Sequence, residues 1–121
     1  MNQLLSLELP YPNKSGNRHV RHGGGRHYLS EDAQSYRIQV GRIVERHRAV
    51  LKLQGPLEVR WVLAPPDLRE RDQVNVIKVV EDALVRCGAL GGDSNRFIRR
   101  TVVEWVDPVP EGAVLVEAFR L

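Results

Sequence analysis

The sequence predicts one α+β domain over residues 1–121, with elements in the order β-α-β-α-β-β. Short segments that alternate polar and apolar residues are typical of half-buried strands, and two longer segments with apolar residues every three to four positions are typical of amphipathic helices. A length of 121 residues suffices for one hydrophobic core. We therefore expect a mixed sheet with both helices packed on it.

The first half of the chain contains the first predicted strand and helix. Leu5, Leu7 and Leu9 alternate with polar residues, and two prolines follow them. Ser30 can cap a helix whose first residues, Glu31 and Asp32, are acids at the positive end of the helix dipole. The apolar stripe predicts that this helix runs from about Glu31 to about Leu51.

The second half begins with an alternating segment, residues 57–63, that predicts a strand. Asp72 can cap the second helix, and Gly88 is a natural end for it. Its predicted buried stripe is Ile77, Val80, Ala83, Leu84 and Cys87. Residues 97–106 and 114–121 are rich in β-branched and apolar residues and predict the last two strands.

Charge and composition narrow the classes of function. The net charge is +3, and the excess is arginine, which binds phosphate through a planar fork. Residues 10–29 hold four basic side chains, Lys14, Arg18, Arg21 and Arg26, and no acid. This loop is either a phosphate-binding arm or a solvated loop. No apolar run is long enough to span a membrane, no signal peptide is recognisable, and the single cysteine excludes an internal disulfide, so we expect a cytoplasmic protein.

A polar row follows one side of the second helix. Arg71, Asn75, Lys78 and Asp82 recur at helical spacing, Asp72 starts the helix, and Asp93 follows the Gly91–Gly92 turn. Two carboxylates beside a lysine are what a magnesium-dependent phosphodiesterase requires. The alternative is that Asp72 is an ordinary cap, Asp93 an ordinary turn residue, and Lys78 with Asp82 an exposed ion pair.

Two groups of residues resemble a known family. Residues 10–18 read Pro-Tyr-Pro-Asn-Lys-Ser-Gly-Asn-Arg and are similar to a Pro-x-Pro-Pro-Ser-x-Asn-x-Arg opening; Arg26, Ser30, Tyr36 and Arg37 continue the match. The second and tighter group is Pro66, Asp67, Arg69, Arg71, Asp72, Asn75, Lys78, Asp82, Ala83, Leu84, Gly88 and Asp93. Together they resemble the RusA-type Holliday-junction resolvases, small homodimeric, Mg²⁺-dependent endonucleases that cut four-way DNA junctions symmetrically.

The resemblance implies roles for particular residues. Asp72 and Asp93 would bind Mg²⁺, for which Mn²⁺ is a possible substitute, and both would act in catalysis together with Lys78. The expected contacts to branched DNA are Asn17, Arg18, Arg21, Arg26, Arg69, Arg71 and Asn75. A homodimer is expected, because symmetric cleavage needs two related sites.

The chain departs from the family pattern at one important position. The second aspartate of the family's Asp-x-Asp motif is Val74 here, and an acid that often precedes the last aspartate is Gly92. Three explanations stay open: Glu70, Asp67 or Asp82 serves as a substitute ligand, the protein binds junctions without cutting them, or the change is inactivating. A basic RNA-binding module is a further alternative, although no strand carries paired exposed aromatic residues.

Overall fold

The computed structural model describes residues 2–12, 20–23, 26–29 and 31–121. Its elements are β1 (Asn2–Leu9), β2 (Val20–Gly23), β3 (Arg26–Leu29), α1 (Glu31–Arg46), β4 (Leu57–Ala64), α2 (Gln73–Arg86), β5 (Ile98–Trp105) and β6 (Ala113–Arg120). With β2 and β3 set aside as a separate hairpin, the predicted α+β class and element order are confirmed. Neither helix in the described part of the chain is long and apolar enough to cross a membrane.

Four strands form a mixed sheet in the order β1-β6-β4-β5. Strand β6 runs antiparallel to both β1 and β4, whereas β5 runs parallel to β4. Parallel neighbours need a crossover connection, which α2 supplies between β4 and β5. This crossover places α2 beside the edge strand β5.

One face of the sheet is covered by the two helices. Strand β4 contributes Leu57, Val59, Trp61 and Leu63 to a core cluster that also holds α1 and α2 side chains. The sheet alternation turns Glu58 and Arg60 to the other face, where Glu58 pairs with both Arg60 and Arg100. The hydrogen bond from Arg100 is the largest influence on the pKa of Glu58. Together with the hydrogen bond from Arg60 it outweighs the effect of burial, so the pKa of Glu58 is lowered.

The structure corrects three local predictions. Helix α1 ends at Arg46 instead of about Leu51, because the chain becomes left-handed at Arg48 (φ 54°) and Ala49 turns into the core. In α2, Val76 and Val79 are buried, while Ile77 and Cys87 are only partly buried.

The third correction concerns the basic loop, for which we predicted no regular structure. Strands β2 and β3 form a two-stranded antiparallel sheet, with Val20 beside Leu29 and Gly23 beside Arg26. Histidines and arginines interrupt the polar and apolar alternation that marks other strands, so the pattern gave no signal.

Candidate active site

A cleft of about 700 Å³ lies between α1, α2 and β5. Helix α2 contributes Val74, Lys78 and Glu81, the following turn contributes Asp93, and β5 contributes Thr101. We call this the α2 cleft. It brings two of the predicted catalytic residues, Lys78 and Asp93, to one cavity.

Helix α2 presents these side chains because its cap and its buried stripe fix its orientation. Asp72 is the N-cap, and its Oδ1 accepts a hydrogen bond from the Val74 backbone N at 2.9 Å. Val74, Lys78 and Glu81 are spaced by four and three residues, so they follow one side of the helix. Val74 is 64% exposed, so this side of α2 faces the cleft and solvent rather than the core.

Asp93 is positioned by a tightly packed glycine turn. Leu90 pairs with Leu53 in an isolated parallel bridge, and the Gly91 backbone N donates to the Leu53 carbonyl at 2.9 Å. A Cβ atom at Gly92 would lie 2.5 Å from the Phe97 ring, which is closer than packing allows. An acid at position 92 would therefore require the Phe97 ring to move.

Glu81 is a cleft residue that the sequence analysis missed. Its side chain is partly buried, and burial together with the neighbouring Asp93 carboxylate raises the pKa of Glu81 to about 7. The signal was present in the sequence, because Glu81 follows Lys78 by three residues and Val74 by seven. The polar row predicted above is the adjacent one and ends at Asp82.

Asp82 also lines the α2 cleft, but two arginines engage it. Arg37 of α1 forms an ion pair with Asp82, and the Arg86 Nε lies 3.9 Å from the Asp82 Oδ1. The predicted alternative pair of Lys78 with Asp82 is absent among the described residues. Asp82 therefore ties α1 to α2 instead.

Asp72 lies in a different cleft, of about 890 Å³, together with Tyr11, Asp67, Arg69 and Arg71. We call this the Arg71 cleft. The Arg71 Nη1 lies 2.8 Å from the Asp67 Oδ1, and the Arg69 backbone N donates to the same oxygen at 2.9 Å. These contacts, with Arg71 contributing most, lower the pKa of Asp67 to about 2. Asp72 and Asp93 thus do not share a cavity.

The three substitute ligands considered from the sequence have different surroundings. Asp67 and Asp82 are each held by arginines, which compete with a cation for their oxygens. Glu70 lines the Arg71 cleft with Asp72 and is not in contact with the α2 cleft. None of the three therefore offers an unpaired carboxylate beside Asp93.

The acid groups of the α2 cleft fit a hard divalent cation. Over residues 2–12, 20–23, 26–29 and 31–121, no group of three or more histidine, cysteine or acidic side chains is arranged to hold a metal. Mg²⁺ commonly uses only one or two carboxylates and completes its shell with water and substrate phosphate. Glu81 and Asp93 supply two such carboxylates.

The residues predicted to contact DNA differ in exposure and in how far the structure describes them. Arg69 has an 83% exposed side chain, whereas Arg71 is engaged by Asp67 and lies 5.8 Å from the Tyr11 ring centroid. Asn75 is partly buried in the first turn of α2. Arg21 and Arg26 lie on β2 and β3, with side chains outside the described part, and Asn17 and Arg18 lie outside the described residues altogether.

Comparison with known proteins identifies the family to which the chain belongs. Residues 10–116 match the family model described as endodeoxyribonuclease RusA. Crossover junction endodeoxyribonuclease RusA of Escherichia coli (strain K12) is 39% identical over 83 residues, 69% of this chain and 68% of the relative. The protein of the same name from Enterobacteria phage 82 is 38% identical over 82 residues, 68% of each chain. The chain therefore belongs to the RusA endodeoxyribonuclease family.

Proposed function

We propose that residues 1–121 form one RusA-like domain that cuts four-way DNA junctions and depends on a divalent metal, Mg²⁺ or Mn²⁺. The observation that carries the proposal is the convergence of Asp93 and Lys78 on the α2 cleft. The two residues are fifteen positions apart, and the Gly91–Gly92 turn brings them together. Relatives named crossover junction endodeoxyribonuclease support the choice of a branched DNA substrate.

Each residue has a proposed task. Asp93 would hold the metal in the α2 cleft, whereas Asp72 lies in the Arg71 cleft and precedes Gln73, which lines the α2 cleft. When bound, the metal would polarise the scissile phosphate and activate water. Lys78, exposed at the cleft and without an ion pair among the described residues, stabilises the charge that develops on the phosphate.

The remaining positive groups bind the DNA backbone and not base edges. Arg69 is the most accessible of the described candidates, and Arg21, Arg26, Asn17 and Arg18 of the basic arm would extend the contact. Arg71 orders the loop before α2 through Asp67, so its contribution is partly structural. Asn75 lies in the first turn of α2, near Asp72. Two related sites in a homodimer would cut the two strands symmetrically.

Val74 favours one alternative, a junction-binding protein without nuclease activity. Valine carries no oxygen that could bind a metal, so a site that needed three carboxylates would be incomplete. Such a protein would retain its positive DNA-binding surface. The two proposals differ only in whether the bound junction is cut, and one experiment separates them.

The experiment uses a synthetic four-way junction with labelled strands. The nuclease proposal predicts nicking near the crossover with Mg²⁺ or Mn²⁺ and none with EDTA, and no nicking of the matched linear duplex. Gel-shift binding in Ca²⁺ or EDTA measures junction affinity separately. Junction binding without cleavage in either metal establishes the silent alternative, and absence of junction binding at low salt rejects both.

A further inference from the structure

We infer that Glu81 is the metal-binding carboxylate that replaces the acid lost at position 74. The inference rests on the proposed function, because it assigns a ligand to the metal of that site. It concerns a residue that is not part of the family's motif as matched in this chain.

Glu81 lies on the same side of α2 as position 74. Seven residues separate positions 74 and 81, which is close to two helical turns, so the two side chains point to the same side within about 20°. At 1.5 Å per residue, Glu81 lies about 10 Å further along the helix axis. Both residues line the α2 cleft, with Lys78 between them. Glu81 therefore offers a carboxylate to the same cleft from the same helical row, about two turns from position 74.

Besides Asp93 and Glu81, the α2 cleft holds no acid that is free of an ion pair among the described residues. A side chain at position 92 would require the Phe97 ring to move, because a Cβ atom there would lie 2.5 Å from that ring. Asp82 is paired with Arg37, and Asp67 with Arg71. Among the described residues, Glu81 forms no ion pair, so its oxygens are available to a cation.

Glu81 and Asp93 also line the same cleft from two different segments of the chain. Glu81 lies partly buried on α2, and Asp93 follows the turn after that helix. Two like charges that line one partly desolvated cavity repel unless a cation joins them. A divalent ion bound by both carboxylates would turn this repulsion into attraction. Lys78 then remains available to contact the DNA phosphate.

The test compares Glu81→Gln with a matched control in a metal-binding assay. Mn²⁺ affinity is measured from the electron paramagnetic resonance signal of the free ion, which does not depend on cleavage. Glutamine keeps the size of the side chain and removes its charge. We expect at least a tenfold weaker affinity, roughly the lower end of the effect of losing a metal-site partner. Glu104→Gln, an exposed acid on β5 that does not line the cleft, should bind Mn²⁺ like the wild type.

A double variant tests the replacement itself. Adding Val74→Asp to Glu81→Gln restores a carboxylate at the family position and should recover most of the lost Mn²⁺ affinity. Circular dichroism and thermal unfolding confirm that each variant is folded.

The outcomes separate the inference from the proposed function. If Glu81→Gln binds Mn²⁺ like Glu104→Gln while the wild type cuts junctions, the inference is wrong and the nuclease proposal stands. If the wild type binds Mn²⁺ through Glu81 but never cuts, the metal site stands and the nuclease proposal falls. A wild type that binds no Mn²⁺ overturns the role of Glu81 as well.

Discussion

Asp93→Asn should lower the rate of junction cleavage by at least about 100-fold and leave junction binding unchanged. Loss of an outer-shell partner of a metal already reduces affinity or activity by roughly 10–100-fold, and Asp93 is proposed as a direct ligand. Asparagine is neutral and close in shape to aspartate, and the Asp93 side chain is exposed, so the fold should be retained. Single-turnover cleavage in Mg²⁺ and gel-shift binding in Ca²⁺ measure the two properties.

Two further carboxylate-to-amide changes show whether the effect is specific to Asp93. Asp107→Asn removes an exposed acid in the turn after β5 and should cut at the wild-type rate. Asp72→Asn keeps an N-cap acceptor for the Val74 amide and removes only the charge. A loss of cleavage in Asp72→Asn supports a metal role for Asp72, and wild-type cleavage indicates that it serves as a cap. Equal rates for Asp93→Asn and Asp107→Asn would remove Asp93 from the site.

Val74→Asp should raise both metal affinity and cleavage, by about tenfold or more in affinity. Because the side chain is 64% exposed and lines the α2 cleft, the new carboxylate enters the site without being buried. Its place in the first turn of α2 is favourable, since an acid there gains roughly 0.3–1 kcal/mol from the helix dipole. Mn²⁺ binding and the Mg²⁺ dependence of the cleavage rate measure the gain.

Ile38→Asp is the matched control for this gain. Ile38 is a 55% exposed apolar residue of α1 that does not line the cleft, so its replacement adds the same charge elsewhere. If both substitutions change Mn²⁺ affinity equally, the effect reflects overall charge. If neither substitution changes Mn²⁺ affinity, position 74 does not face the metal.

The fold was largely predictable because its signals are local. Alternation in residues 57–63 and the cap at Asp72 depend on neighbouring residues, and both predicted elements are present. The end of α1 depends instead on tertiary packing of Ala49, which turns the chain into the core, and the stripe alone suggested a longer helix. Burial of Val76 and Val79 likewise depends on how α2 lies on the sheet.

The site was only partly predictable because it depends on which cavity each side chain reaches. The sequence suggested that Asp93 returns towards Lys78, and the structure places both in the α2 cleft. The sequence did not show which cavity Asp72 faces. Its side chain caps α2 on the Val74 amide, and the packing of the preceding loop, where Arg71 pairs with Asp67, places it in the Arg71 cleft. Glu81 lies on the row of α2 next to the one that carries the family motif, so the motif does not indicate it.

The most direct measurement is an X-ray anomalous-difference map from a crystal soaked in Mn²⁺. We predict a peak in the α2 cleft, within coordination distance of the Asp93 and Glu81 carboxylates and on the side of α2 that carries Lys78. A peak found only at Asp72 in the Arg71 cleft, or no peak at Asp93, would contradict the proposed metal site.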